Sequence, residues 1–417
     1  MSEIMSSRAE MEPFTGVTAG VDTHLELHVC VVVCSVTMRR LGGASFPVTS
    51  AGYRELLSWL ESFGIVDRVG IEGTGTYGAG LSRYLSEVGV AVIEVNRPDR
   101  SGRRLHGKSD DIDAEAAARA VLSGQATAVP KAQDGAVEAI RVLRLVYASA
   151  VKDRTAAFNQ FHAVVSTAPE GIRDELAGLT APAKVNQVGR WRSRSSDDIV
   201  AAATRRSLRE LATRITMLDD QADRVEVDLV GLVESIASAL VDLPGVGVHT
   251  AADLLVAAGD NPTRIKNEAA FAHLCGAAPV PASSGKTNRH RLNFAGNRAA
   301  NHALWRIVMA RMAHRDPRTL AYFERRTAEG LSKRDIIRCL KRYVAREVFN
   351  VIVAPPQAAP TGAEIRALRT EVGLTQTELA QTVNLTLMQV SRIERSLLRR
   401  GDLQQRCHSA LRDSRTL

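Results

Sequence analysis

Three short extended patterns follow one another within residues 16–48: GVTAGVD, HVCVVVCSV and RLGGASFPV, separated by turn-length polar or glycine-containing pieces. Apolar residues alternate or run on there over lengths too short for helices, as strands do, and the short separations imply an antiparallel meander. The pattern then changes. SAGYRELLSWLESFG and GAGLSRYLSEVG carry helical spacing, VDRVGIE and VAVIEV read as core strands, and DDIDAEAAARAVLSG reads as a further helix. The order βββαβαβα admits few solutions, because a parallel return needs a crossover; it predicts an α/β unit, a mixed sheet covered by helices.

A chain of 417 residues has room for two or three domains. Apolar residues recur at helical spacing over Val137–Thr167 and Ser196–Leu240, which predicts two long helices that either pair within one chain or associate with another copy as a coiled coil. LVDLPGVGVHTAADLLVAAGD then resembles a helix-hairpin-helix, whose turn at Gly245 and Gly247 can offer backbone N–H groups to a phosphate or serve only in packing. A Pro/Ala-rich linker, 354–362, marks a boundary. Beyond it, EIRALRTEVGLTQTELAQTVNLTLMQVSRIERS resembles the phage-repressor type of helix-turn-helix, and that likeness puts Thr386, Met388 and Gln389 toward bases. Leu387 and Met388 are poor hydrogen-bonding readers, so a purely structural module stays open. The expected divisions are 14–128, 129–240, 241–353, the linker, and a tail over 363–417.

Charge is unevenly spread. Between Pro281 and Asn350 there are 16 Lys/Arg against 5 Asp/Glu, while the whole chain carries a net +8. Such a region is a footprint for a polyanion, nucleic acid first, or else a solvated helical surface. Aromatic content of 4% argues against base stacking as the main binding mode. The five cysteines lack CxxC spacing, which supports neither zinc nor a disulfide framework. The longest apolar run, Val29–Val36, is too short for a bilayer, and the N-terminus lacks a leader pattern, so a cytoplasmic, nucleoid-associated protein with no membrane partner is expected.

Four carboxylates stand at the ends of the expected elements: Asp22 after the first strand, Glu72 after VDRVGIE, and Asp110 with Asp113 on one face at a helix start. Together they offer the hard oxygen environment that Mg2+ or Mn2+ prefers. Each has a simpler reading: Asp110 as an N-cap with Asp113 three residues on, Asp22 as a turn acid, Glu72 as a strand end. Asp111 is adjacent and would point about 100° from Asp110. Gly73-Thr74-Gly75-Thr76-Tyr77-Gly78 matches a dinucleotide fingerprint, but it does not follow the first strand, and Glu72 would crowd a pyrophosphate. The glycines are better explained as a sharp turn past the acid.

Val21-Asp22, Glu72-Gly73-Thr74-Gly75-Thr76-Tyr77 and Lys108-Ser109-Asp110-Asp111-Ile112-Asp113-Ala114, in that order, resemble the DEDD insertion-sequence transposases related to the Piv DNA invertase. Gly276-Ala277-Ala278-Pro279, Ser284-Gly285 and Gly296-Asn297-Arg298 are similar to the same family's C-terminal domain, so the likeness covers roughly 16–350. It implies a RuvC-like, ribonuclease-H-fold domain in which Asp22, Glu72, Asp110 and Asp113 bind Mg2+ (or Mn2+), two ions, then a helical dimerisation region and a mostly helical transposase domain. It also implies Ser284 as nucleophile, DNA as substrate, an element-encoded guide RNA, and a dimer or tetramer. Ser283 is an adjacent competitor, and the matching position favours Ser284. Lys286, Arg289, Arg291 and Arg298 are placed to hold DNA phosphates. A metal-dependent structure-selective nuclease and a non-catalytic helix-turn-helix regulator are the competing functions.

Overall fold

The computed structural model describes residues 16–96, 109–192, 198–283, 289–353, 360–395 and 401–415. The chain forms two compact units, one comprising Met1–Gly135 with Ala258–Lys266, the other Ala136–Ala257 with Asn267–Leu417.

The first unit is built on a five-stranded sheet. Strands β1 (Gly16–Thr23), β2 (Leu27–Cys34) and β3 (Arg40–Pro47) form the expected antiparallel meander. Helix α1 (Ser50–Glu61) returns the chain to β4 (Ile65–Glu72), parallel to β1, and α2 (Ala79–Glu87) leads to β5 (Val92–Val95), parallel to β4. The order is β3-β2-β1-β4-β5, with α3 (Asp110–Leu122) following.

Side-chain alternation splits the core into two layers. Val17, Ala19, Val21, Cys30 and Val32 pack with Leu56, Leu60, Leu81 and Leu85 of α1 and α2. On the opposite face Val29, Val31 and Val33 meet Ala114 and Ala118 of α3, and Val95 meets Ala117 and Val121. Glycines on β1 and β4 set how close α3 comes. A Cβ on Gly20 would lie 2.0 Å from the Ala114 carbonyl oxygen, and one on Gly70 would lie 2.7 Å from Val121 Cγ2. Small residues on both surfaces thus seat the helix almost on the sheet backbone. Segment 258–266 completes the unit: Asn261 accepts from the Ala132 N–H at 3.1 Å and donates to the Pro130 carbonyl at 3.0 Å.

The second unit is mostly helical. Helices α4 (Ala136–Thr167) and α7 (Ile199–Val241) are the two long helices, and they pair within the chain. The segment between them forms two short helices, α5 (Glu170–Leu176) and α6 (Ala181–Gly189). Ile172, Leu176, Val185 and Val188 bury against Phe161, Leu208 and Ile215. Arg205 is clamped between Glu175, at 3.0 Å to one carboxylate oxygen, and the face of Trp191. Next come α8 (Val248–Ala258), α9 (Glu268–Leu274), a two-stranded ribbon β6 (Val280–Pro281) and β7 (His290–Arg291), α10 (Arg298–Ala313), α11 (Pro317–Ala328) and α12 (Lys333–Val353). The ribbon had no signal in the sequence.

The tail forms α13 (Gly362–Val372), α14 (Gln376–Thr382), α15 (Leu387–Glu394) and α16 (Gly401–Arg415) around Ile365, Leu379, Val390, Ile393, Cys407 and Leu411. Capping boxes at Thr361/Glu364, Thr375/Glu378 and Thr386/Gln389 start the first three of these helices. All five cysteines are free thiols, four of them buried. Among the described residues no helix is long and apolar enough to cross a membrane.

Candidate metal centre and serine loop

The glycines that admit α3 also aim the acids. Val21 pairs with Ile71 across the parallel β1–β4 ladder, so Asp22 and Glu72 stand side by side, one residue further on. Gly20 and Gly70 face α3, and side chains two apart share a face, so Asp22 and Glu72 project toward the same side. Helix α3 runs back along this face: Ala114 lies over Gly20 and Ala117 over Gly70. One turn earlier along the same two rows stand Asp110 and Asp113. Asp22 and Glu72 thus end two neighbouring strands, and Asp110 and Asp113 lie in the first turn of the helix packed on that face.

Local interactions hold this corner. Thr23 Oγ1 donates to the Glu72 carbonyl at 2.8 Å, tying the strand ends together. Gly73 takes a left-handed φ of +70°, and a Cβ on Gly78 would meet Ile71 Cγ2 at 2.8 Å, so these glycines fold the chain tightly behind Glu72. Asp113 is only 4% exposed, while the Asp110 side chain is half exposed. The cap of α3 is Ser109, whose Oγ accepts from the Ile112 N–H at 3.3 Å; the simpler reading of Asp110 as N-cap does not hold, because it is already the first helical residue. Asp111 is taken by Arg40 of β3 at 2.6 Å. The positive end of α3 favours carboxylates in its first turn.

The sequence reading missed one neighbour. His24, in the turn after β1, places Nε2 3.3 Å from Asp22 Oδ2 and 3.4 Å from Asp110 Oδ2. His28, four residues later, faces the α1 side, stacked on Tyr53 at 5.9 Å, and burial followed by the influence of His24 lowers its pKa to about 4. It stays neutral at ordinary pH. Carboxylate oxygens of Asp22 and Asp110 and the His24 imidazole nitrogen lie close enough together to fit a divalent cation chemically.

In the second unit, Gly276 and Gly296 bring two motif segments into backbone contact: a Cβ on Gly296 would lie 2.3 Å from the Gly276 nitrogen. Asn301 Nδ2 donates to the Cys275 and Gly276 carbonyls at 2.8 and 3.0 Å, and Lys341 Nζ donates to Asn301 Oδ1 at 2.6 Å. From this base rises the β6–β7 ribbon. Ser284, Gly285 and Lys286 lie outside the described residues. Ser283 is described, and its Oγ accepts from the Arg289 N–H at 3.2 Å. Arg289 and Arg291 on the ribbon and Arg298 at the first position of α10 are exposed. Beside the ribbon's base is a cavity of about 440 Å³, walled by Tyr322, Tyr343, Arg338, Lys341 and Arg342 among others. Burial, then Arg338, lowers the pKa of Lys341.

Both regions match known families. Residues 19–168 match a family model described as a transposase of the DEDD IS110 type, and residues 237–324 match one described as the transposase IS116/IS110/IS902 family. Over these two stretches the chain is similar to the IS110-family transposases. It is also 31% identical over 145 residues to an insertion element IS110 uncharacterized 43.6 kDa protein of Streptomyces coelicolor, a match that takes in 34% of this chain and 35% of that relative. Residues 365–400 match a helix-turn-helix model.

The IS110-type matches take in all four acids and the serine loop; the tail lies outside them. At the interhelical turn, Gly245 adopts φ +76° and packs against α10, where Arg311 Nε donates to the Pro244 carbonyl at 2.8 Å. The Gly247 N–H is satisfied by Thr250 Oγ1 at 3.0 Å. In the tail, Gln389 Oε1 accepts from the Thr386 N–H at 2.9 Å, so two of the three residues expected toward bases take part in a cap. Leu387 and Met388 are left exposed.

Proposed function

We propose that the protein is a DNA recombinase that cuts and rejoins the strands of an insertion sequence. The observation that supports this reading is the placement of Asp22 and Glu72 at two neighbouring strand ends, with Asp110 and Asp113 in the first turn of the helix packed on that face, in a chain whose serine loop falls within a second transposase match. Sheet order and the position of α3 support a RuvC-like, ribonuclease-H-type first domain.

Asp22, Glu72, Asp110 and Asp113 hold Mg2+ or Mn2+, two ions by the family resemblance. Bound divalent ions stabilise the charge that develops on phosphate oxygens. Asp113, buried in the first turn of α3, would be the least solvated of these ligands. Ser284 supplies the nucleophile: its Oγ joins phosphorus while one sugar oxygen leaves with a proton, and the phosphoserine ester conserves bond energy for rejoining. The hydroxyl of Ser283 is held across the ribbon by Arg289, which favours Ser284 for this role. Arg289, Arg291, Arg298 and Lys286 hold the DNA backbone. The basic second unit suits a nucleic-acid partner, and the family resemblance adds an element-encoded guide RNA. Exposed Val142 and Leu145, three apart on α4, support self-association into a dimer or tetramer.

The test is strand exchange on DNA carrying the element ends, with RNA transcribed from the element's flanks. Ser284→Ala abolishes covalent protein–DNA adducts and rejoining while metal-dependent DNA binding persists. Rejoining unchanged in Ser284→Ala would sink the serine mechanism and leave a metal-dependent nuclease. Full activity in Asp113→Asn removes the metal reading.

A further inference from the structure

We infer that His24 is a nitrogen ligand of the divalent ion held by Asp22 and Asp110, and that it turns the centre toward Mn2+ over Mg2+. The inference rests on the reading of the acids as metal ligands and adds to it a residue outside that set. His24 Nε2 stands 3.3 Å from Asp22 Oδ2 and 3.4 Å from Asp110 Oδ2, and the three donor atoms lie within 4.8 Å of one another. Both separations exceed the roughly 2.7–2.9 Å of a charge-assisted N–H···O bond. They equal the edge of a coordination polyhedron: donors about 2.0–2.2 Å from one cation, at angles between octahedral and tetrahedral, sit about 3.0–3.5 Å apart.

The fold sets up this arrangement from both sides. Asp22 is fixed on β1 by the ladders to β2 and β4, and Asp110 by the cap of α3, so the gap between them is defined by elements in the core. His24 enters that gap from the β1–β2 turn with its side chain 47% exposed, so the turn holds it and burial does not. Its neighbours also leave it this role. Arg40 takes Asp111, and His28 points into the other layer. Mg2+ prefers all-oxygen shells with retained water, whereas imidazole suits the later, softer divalent ions, so replacing one oxygen donor by nitrogen favours Mn2+.

The test is electron spin-echo spectroscopy of Mn2+ added to the full-length protein, with natural-abundance and 15N-histidine samples, beside titrations with Mn2+ and Mg2+. A directly bonded nitrogen coupling is expected that changes with the isotope and disappears in His24→Gln. That variant should bind Mn2+ about tenfold more weakly, with Mg2+ affinity changed less than about twofold. Mn2+ bound without nitrogen coupling, or a coupling that survives His24→Gln, overturns the inference and leaves the acids as ligands. Wild-type affinity in Asp22→Asn, or no Mn2+ binding by the native chain, overturns the inference together with the metal reading beneath it.

Discussion

Asp110 and Asp111 are adjacent, equally exposed carboxylates that the fold treats differently. Asp110 faces Asp22 and His24, whereas Asp111 is held by Arg40. Asp110→Asn should weaken divalent-ion binding at least tenfold in calorimetric titration, while Asp111→Asn leaves it within about twofold and loses only the surface ion pair, about 0.5 kcal/mol in an unfolding titration. The opposite ranking would move the helix-borne ligand by one position. Glu394 in the tail gives a second contrast. Its side chain is fully buried; desolvation opposes its charge, yet hydrogen bonds from Arg369 and Gln376 and the nearby Arg366 hold its carboxyl below the usual value. A lowered folded pKa means stability that is present above the ordinary glutamate range and lost as pH falls through the lowered value. Amide exchange in α13–α15 of the full chain should therefore accelerate only in acid. Glu394→Ala should loosen the same helices at neutral pH by about 3 kcal/mol, since it leaves Arg369 without its carboxylate.

At the scale of elements, the close approach of α3 to the sheet makes the acid corner possible. Gly20→Val would drive a side chain into the Ala114 carbonyl and the Ala118 nitrogen, both backbone atoms that cannot rotate away. The expected cost is about 3 kcal/mol in urea unfolding, with weakened divalent-ion binding, because lifting α3 carries Asp110 and Asp113 off the strands. A stable variant with native ion affinity would show that the acids are positioned independently of this approach. The elements themselves were legible in the sequence: three short apolar runs marked the meander, helical spacing marked α1–α4 and α7, and the acids do fall at the ends or starts of these elements. The role of Gly20 was not legible, because it depends on a helix about 95 residues away. Neither was His24, since a turn has no period to show which way a side chain points. The cap that Thr386 and Gln389 form was not foreseen, because the repressor likeness drew them only as base-facing residues.

On the scale of the whole chain, the question is what the tail contributes to target choice. It folds around its own core, starts its first three helices with capping boxes, and lies beyond both IS110-type matches. The end of α15 that a repressor would put into a major groove presents Leu387 at 50% and Met388 at 66% exposure, with Gln389 engaged in the cap. Apolar tips read thymine methyls at best, and base-edge hydrogen bonds supply most direct discrimination. The basic second unit, by contrast, carries exposed Arg289, Arg291 and Arg298. A chain ending at Ala354 should therefore keep strand exchange and an unchanged set of junction sequences, while its overall DNA affinity falls a fewfold. Replacing the three arginines by alanine in the full chain should instead abolish exchange and flatten the salt dependence of binding, its slope falling by about 0.9 for every phosphate that is no longer neutralised. Sequencing the junctions made by the truncated chain decides the matter: a redistributed target set would assign site selection to α15 despite its apolar tip.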